Sequence, residues 1–314
     1  MNEKIKIIVA GIGGVGGYFG GLLAKHFEGS SDAEIHFLAR GQHLERIRNS
    51  GLKVLKGNDM FIAKPKLATD NSTEIGAADL IIICTKSYDL KSVTEQIKPC
   101  LGSETFVLPL LNGVENSETI KNILPGSTVL RGCVYVISHI KEAGVIENAG
   151  NIQKLYFGLD GLINDKLLLF EKLLRQAGIE ATLSENISSL VWEKFHLVGA
   201  NSTATSYFDC TTGEILADKT KTEFLFSLLE EVNKVALAKG VRLDKDIVSE
   251  TMAKLRALPF ENTSSMHRDF KSAKGKTELE TITGYVIRSG RQLNVPTPTF
   301  ETAYNKLSRK YETV

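Results

Sequence analysis

A glycine-rich hexapeptide near the N-terminus has the spacing of a phosphate-binding loop. It consists of Gly11, Ile12, Gly13, Gly14, Val15 and Gly16, between an apolar run at 5–10 and a helical pattern at 18–27. In this context the first glycine permits a tight turn and the second lets the backbone approach a pyrophosphate. The third allows the helix to pack closely on the strand. The helix N-terminus adds N–H donors and partial positive charge. We therefore predict dinucleotide binding; the alternative is an ordinary glycine-rich turn.

The end of the second predicted strand, residues 34–38, distinguishes between two dinucleotides. NAD sites place an acidic residue there to accept hydrogen bonds from the ribose hydroxyls. This chain has Ala39 and Arg40 instead, and its next acidic residue is Glu45. A guanidinium can pair with a 2′-phosphate, which an acid would repel. The sequence favours NADP(H), and the alternative for Arg40 is a solvated surface residue.

Two further polar side chains follow predicted strands. Lys86 comes after the apolar run 78–84, and Asn112 comes after the predicted strand 105–111. Ligands of doubly wound sheets bind outside the carboxyl ends of the strands, so the two residues are candidates for contacts with the nicotinamide half. Each of them alone could equally be a loop residue with local hydrogen bonds.

A lysine in the second half of the chain lies on an apolar helical stripe. Lys194 shares one face of the predicted helix 188–205 with Leu190, Leu197 and Val198. A charged group in such a stripe is costly unless it lines a cleft. We predict that Lys194 projects into a groove between domains; the alternative is that it snorkels to the surface. His196 has no second His or Cys nearby at ligand spacing, so no metal site is predicted.

The elements around these residues predict two domains. Strands alternate with helices up to about residue 140, with the last of these strands predicted over 128–136, and this alternation predicts a parallel, doubly wound sheet. Residues 141–158 suggest a hairpin extension. Helical periodicity follows at 188–205, 222–239, 245–258 and 278–290. The predicted fold is therefore an α/β N-terminal Rossmann-type domain, residues 1–184, plus an all-helical C-terminal domain, residues 185–314.

Composition excludes several classes of protein. The 314 residues include 38 Lys and Arg against 37 Asp and Glu, a balance that argues against a broad nucleic-acid-binding surface. The longest strongly apolar run, 80–84, is too short to span a membrane, and no signal-peptide pattern is present. The four cysteines are widely spaced and suggest neither disulfides nor a zinc site. A cytoplasmic protein is expected.

Together these motifs resemble the ketopantoate reductases (2-dehydropantoate 2-reductases) over nearly the whole chain. The matching order is GIGGVG, Arg40, Lys86 in ICTKSYD, Asn112 in LLNGVE, Lys194 in LVWEKF, ENTSSMHRD at 261–269 and TELETITGY at 277–285. The last three segments are fairly specific to the family, whereas the glycine loop and Asn-Gly are not. The resemblance implies a Rossmann domain packed on a helical domain, with the active site between them.

The resemblance also implies NADPH-dependent reduction of 2-dehydropantoate to pantoate, for pantothenate and coenzyme A synthesis. Gly11 to Gly16 would hold the pyrophosphate and Arg40 the 2′-phosphate, while Lys86 and Asn112 would contact the cofactor. Lys194 would donate a proton to the 2-oxo group. Asn112, Asn262 and Ser265 would hold the substrate. Glu278 would be a second catalytic residue, in contact with the cofactor near its nicotinamide and close to the lysine. The alternative for Glu278 is an ordinary acid in the first turn of a helix. A homodimer is plausible.

Three positions depart from the family pattern. Asparagines usual in the family are replaced by Val198, Ser202 and Thr212, and Asn201 is displaced by one residue. Val198 and Ser202, together with Lys194, are nevertheless expected to contact the substrate. A valine cannot hydrogen-bond a substrate hydroxyl, so Val198 suggests a more apolar pocket that admits a 2-oxo acid lacking the hydroxymethyl group. The alternatives to ketopantoate reduction are therefore a paralogous NADPH-dependent reductase of another 2-oxo acid and a non-catalytic NADP-binding sensor.

Overall fold

The computed structural model describes residues 4–272 and 275–312, and the chain forms two compact units. The first, here called the sheet unit, contains the chain up to Leu111 together with Asn116–Ile187. The second, the helical unit, contains Asn112–Glu115 and the chain from Ser188 onward. The short loop that carries Asn112 thus clusters with the helices, although it follows a strand of the sheet unit.

The sheet unit contains eleven strands and five α-helices among its described residues. The strands are β1 (Ile5–Ala10), β2 (Ala33–Leu38), β3 (Leu52–Lys56), β4 (Asp59–Ala63), β5 (Leu67–Thr69), β6 (Ala78–Ile83), β7 (Leu101–Pro109), β8 (Thr128–Val129), β9 (Arg131–Glu142), β10 (Val145–Gly158) and β11 (Glu180–Leu183). The helices are α1 (Gly14–His26), α2 (Gly41–Ser50), α3 (Leu90–Gln96), α4 (Asn116–Ile123) and α5 (Asp165–Gln176).

Six strands form a parallel sheet in the order β5-β2-β1-β6-β7-β8. Strand β1 lies between β2 and β6, so the chain runs outward in both directions from it. The apolar strand β6 is almost completely buried, as expected when both faces of a sheet are covered. The predicted doubly wound arrangement is confirmed.

The hairpin expected at 141–158 is formed by β9 and β10 over 131–158. It belongs to a second sheet that the sequence did not predict, with the order β11-β10-β3-β4 and β9 antiparallel to β10. The prediction of a single strand over 128–136 was wrong, because this segment contains two strands. The chain leaves the parallel sheet after β8, and β9 begins in the second sheet. Helix α1 contacts strands of both sheets. Its glycines make this possible: a Cβ on Gly17 would lie 2.5 Å from Ile146, and one on Gly21 would lie 2.7 Å from Val54.

The helical unit is built from seven α-helices within its described residues. They are α6 (Ile187–Phe208), α7 (Thr212–Ala217), α8 (Lys219–Ala238), α9 (Ile247–Arg256), α10 (Ser265–Lys271), α11 (Tyr285–Leu293) and α12 (Pro298–Glu312). A π-helical turn, Glu280–Gly284, precedes α11 where a regular helix was predicted. The apolar stripe of α8 is fully buried in the core, as its periodicity predicts. Among the described helices, none has the length and apolar character needed to cross a membrane.

Candidate active site

The glycine loop joins β1 to α1, and packing requires a glycine at three of its positions, 11, 14 and 16. Gly11 has a φ of +92°, and a Cβ there would lie 2.6 Å from the Thr85 side chain. A Cβ on Gly16 would lie 2.0 Å from the carbonyl oxygen of Gly11 and 2.8 Å from Cys84. Any larger residue at Gly16 would therefore push the helix away from the loop and from the end of β6.

In the middle of the loop, the structure leaves room for a side chain at Gly13 but not at Gly14. A Cβ built on Gly13 would meet no heavy atom of the described residues within 4 Å, whereas one on Gly14 would lie 2.2 Å from the Ser138 carbonyl oxygen. Ile12 is buried in the core and Val15 packs against it. Gly13 is the N-cap of α1. The helix N-terminus thus offers backbone N–H groups to an anion, and the first turn of α1 contains no acidic side chain that would repel it.

This difference between glycines gives a test of ligand binding at the loop. Gly13→Ala should leave the unfolding midpoint nearly unchanged, because the new methyl group meets open space and the residue has an ordinary φ of −85°. It should weaken dinucleotide binding by about tenfold or more if the backbone contacts a pyrophosphate. Gly16→Ala should instead lower stability by about 1–3 kcal/mol. Fluorescence titration and thermal melts of both variants would check the pair; unchanged affinity in Gly13→Ala would argue against pyrophosphate contact here.

Arg40 lies at the N-terminus of α2, directly after the end of β2. Its side chain is 80% exposed, and its Nη2 lies 2.7 Å from a carboxylate oxygen of Asp89. Asp89 was not among the predicted site residues, because the two residues are distant in sequence and only the fold brings them together. Lys86 is half-buried and precedes the short 3₁₀ turn Ser87–Asp89 at the carboxyl end of β6. Arg40 and the loop that contains Lys86 therefore lie at the ends of strands that flank β1.

Lys194 and Asn112 meet within the helical unit. The Lys194 ammonium donates a hydrogen bond to the Asn112 side-chain oxygen, 3.1 Å away. Lys194 is half-buried on α6 and does not simply extend into solvent. The loop that carries Asn112 is attached to α11 by Arg288, whose Nη2 lies 3.2 Å from the Glu115 carboxylate. Sequence reasoning missed this ion pair, and the charges alone gave no signal for it.

A second polar cluster lies around the predicted substrate residue Asn262. Its side-chain nitrogen donates to the Thr212 hydroxyl at 3.3 Å, and that hydroxyl donates to the Asn201 side-chain oxygen at 3.1 Å. The Thr212 backbone N–H also donates to the Asn262 carbonyl oxygen at 2.8 Å. Asn201 and Thr212 are buried, so these bonds are shielded from water. Thr212, one of the positions that depart from the family pattern, thus holds the side chain of Asn262 and is itself bonded to the displaced Asn201.

The remaining predicted substrate residues lie on the same unit. Val198 is half-buried and packs against the helical core, Ser202 is buried on α6, and Ser265 is the first residue of α10. Glu278 is 2% exposed and lies just before the π-helical turn. Such turns are frequent at functional sites. His196 is fully buried and its Nδ1 lies 2.9 Å from the Thr251 hydroxyl, which gives it a place in the core.

Family models match both parts of the chain. The model for ketopantoate reductase PanE/ApbA matches residues 7–160, and the model for the C-terminal part of ketopantoate reductase PanE/ApbA matches residues 186–311. The chain belongs to the ketopantoate reductase family. It is therefore an oxidoreductase, and the members of this family are NAD(P)-dependent.

Individual relatives and solved structures are similar to this chain over nearly its whole length. The solved 2-dehydropantoate 2-reductase of Porphyromonas gingivalis W83 is 35% identical, with a TM-score of 0.86 over 97% of this chain and 99% of that one. An oxidoreductase of Bacillus subtilis (strain 168), YkpB, is 28% identical over 96% of this chain and 98% of the relative. D-mandelate dehydrogenase, solved with NADH and anilino(oxo)acetate, has a TM-score of 0.84 over 98% of this chain and 99% of its own. At 23% identity, that likeness extends to the fold alone.

Proposed function

We propose that the protein reduces the keto group of a 2-oxo acid with NADPH, and that 2-dehydropantoate, which yields pantoate, is the first candidate substrate. The observation that carries this proposal is the hydrogen bond between Lys194 and Asn112. This bond places an ammonium group beside an amide in a chain of the ketopantoate reductase family. A non-catalytic protein that only senses the coenzyme would need neither group.

The residues of the sheet unit suit a nicotinamide dinucleotide. The open side of Gly13 leaves room for a pyrophosphate against the backbone, and the N-terminus of α1 favours its negative charge. The guanidinium of Arg40 is exposed at the end of β2, where it pairs with Asp89 and can also reach a 2′-phosphate. When bound, the coenzyme would supply the hydride that adds to the 2-oxo carbon.

The chemistry assigned to Lys194 follows from its charge and its hydrogen bond. Reduction of a keto group places negative charge on its oxygen, and an ammonium within hydrogen-bond reach offsets that charge and then provides the proton. The Asn112 side-chain oxygen accepts one of the three ammonium protons and restrains the group. Asn262 and Ser265 are assigned to the rest of the acid, with Asn262 held in place by Thr212.

The main alternative within this chemistry is a different 2-oxo acid. Val198 and Ser202 stand where the family usually has asparagines, and Val198 packs against the helical core while remaining half-buried. A substrate hydroxyl left without a partner on binding costs about 1–3 kcal/mol. We therefore propose that Val198 shifts the preference toward acids that lack the hydroxymethyl group of ketopantoate.

Val198→Asn tests this preference. The variant should raise kcat/KM for ketopantoate relative to 2-oxoisovalerate by about tenfold, because an amide gives the hydroxyl a partner. Val198→Ala is the matched control, since it loses packing but gains no hydrogen-bonding group. An unchanged ratio in Val198→Asn, in a protein that still melts cooperatively, would contradict a role for this position in selecting the substrate.

The proposed function is tested by NADPH oxidation at 340 nm with ketopantoate, 2-oxoisovalerate and pyruvate in parallel. Fast turnover of ketopantoate would support 2-dehydropantoate as the substrate. Preference for another acid would keep the chemistry and change the substrate. Tight NADPH binding with no turnover of any acid would favour the sensor.

A further inference from the structure

Asp89 is a carboxylate that the fold brings to the coenzyme end of the sheet unit. It is the last residue of the 3₁₀ turn Ser87–Asp89 and immediately precedes α3. An aspartate before a helix commonly accepts hydrogen bonds from the N–H groups of the first turn. Within the described residues, the Asp89 side chain makes no such cap on α3, and its oxygen lies 2.7 Å from Arg40 Nη2. The carboxylate is therefore directed at the arginine.

The ion pair between Arg40 and Asp89 contributes little to folding stability, but it changes the net charge at the end of β2. The Arg40 side chain is 80% exposed and that of Asp89 is 20% exposed, and exposed pairs contribute little to folding. Their charges nevertheless cancel at the end of β2, where the ribose of a bound dinucleotide lies in this class of fold. A 2′-phosphate that approached Arg40 would also meet the carboxylate.

NAD sites use a carboxylate at this place to bind the ribose hydroxyls. The sequence after β2 lacks one, which is why it favours NADP(H) when read alone. The fold supplies the missing acid from the loop after β6, the strand on the other side of β1. Both chemistries, a guanidinium for a phosphate and a carboxylate for hydroxyls, are therefore present together.

We infer that Arg40 and Asp89 make the coenzyme site dual, accepting NADH as well as NADPH. This inference rests on the proposed function, because it concerns the same nicotinamide site. Asp89 accepts hydrogen bonds from the adenosine ribose of NADH and opposes the phosphate of NADPH, while Arg40 favours that phosphate. The wild-type dissociation constants for the two coenzymes should then differ by about tenfold or less, since the two charges oppose each other.

The two residues should act in opposite directions when they are changed. Asp89→Asn should weaken NADH binding by about tenfold, since a hydrogen bond to a charged acceptor is lost. The same variant should tighten NADPH binding by about threefold to tenfold at low salt, because a repulsive charge is removed. Arg40→Ala should weaken NADPH binding and leave NADH binding at or above the wild-type level.

The experiment is a fluorescence titration of the purified full chain with NADPH and with NADH, at low and at physiological ionic strength. Glu95→Gln is the matched control. It removes the charge of an exposed carboxylate on α3 that pairs with Lys98 at 2.5 Å, and it leaves Arg40 and Asp89 in place. This control should keep the wild-type ratio of the two dissociation constants. Opposite shifts of the ratio in Asp89→Asn and Arg40→Ala would support the dual site.

Three other outcomes have distinct meanings. If NADPH binds more than about a hundredfold more tightly than NADH and Asp89→Asn leaves that ratio unchanged, the dual site is overturned and the proposed reductase stands. Weaker NADPH binding in Asp89→Asn would also overturn it, since Asp89 would then serve to orient Arg40 for the phosphate. Failure of the wild type to bind either coenzyme would overturn the proposed function itself.

Discussion

Replacing Lys194 with alanine should lower kcat for the preferred 2-oxo acid by about a hundredfold or more, the usual contribution of a positioned proton donor. The variant loses the ammonium that offsets the developing alkoxide and provides its proton, while Asn112 loses the donor at 3.1 Å. Because the lysine lies on the helical unit, away from the glycine loop in sequence, the affinity for NADPH should change little. The expected result is therefore a loss of turnover with the coenzyme still bound.

The measurement combines steady-state NADPH oxidation with a coenzyme titration of the same preparation. Lys254→Ala is a suitable control, because Lys254 is also a lysine of the helical unit and forms an exposed ion pair with Glu193 at 2.6 Å. It should keep wild-type turnover. Lys194→Arg retains the charge but is a poor proton donor, so kcat should remain low. Near-normal kcat in Lys194→Ala would show that the proton comes from another group.

Features that depend on nearby residues could be predicted from the sequence. The glycine loop, the apolar strand β6 and the buried stripe of α8 are each set by the spacing of residues within one segment. The same holds for Lys194, whose place on α6 follows from helical periodicity. These local patterns were sufficient to predict the fold class, while the catalytic and phosphate-binding roles of the same residues stay predictions.

Features that depend on distant residues could not be predicted in this way. The second sheet requires β3 to pair with β10, and neither strand reveals that partner in its own sequence. The pairing of Arg40 with Asp89 joins residues 49 positions apart, and it changes the charge expected at the end of β2. Thr212 likewise contacts both Asn201 and Asn262, so its effect on the proposed substrate site depends on tertiary packing.

The helical unit should lose stability as the pH falls, and His196 provides the reason. The imidazole is fully buried on α6, and burial lowers its pKa from 6.5 to about 4 because the charged form is desolvated. The unfolded chain therefore binds a proton between pH 6.5 and pH 4 that the folded chain does not. Stability is complete above pH 6.5 and declines below it, by about 2 kcal/mol at pH 5 and about 3 kcal/mol in total.

The single tryptophan of the chain allows this loss of stability to be measured in the helical unit itself. Trp192 is buried on α6 and packs against Phe195 and Tyr285, so its fluorescence reports unfolding of the helical unit. Urea titrations at pH 7 and pH 5 should show the decrease for the wild type and for the control His26→Gln, which alters an exposed histidine. His196→Gln should be less stable at pH 7 but lose much less on acidification, because it has no buried imidazole to protonate. An equal loss in His196→Gln would assign the pH dependence to other groups.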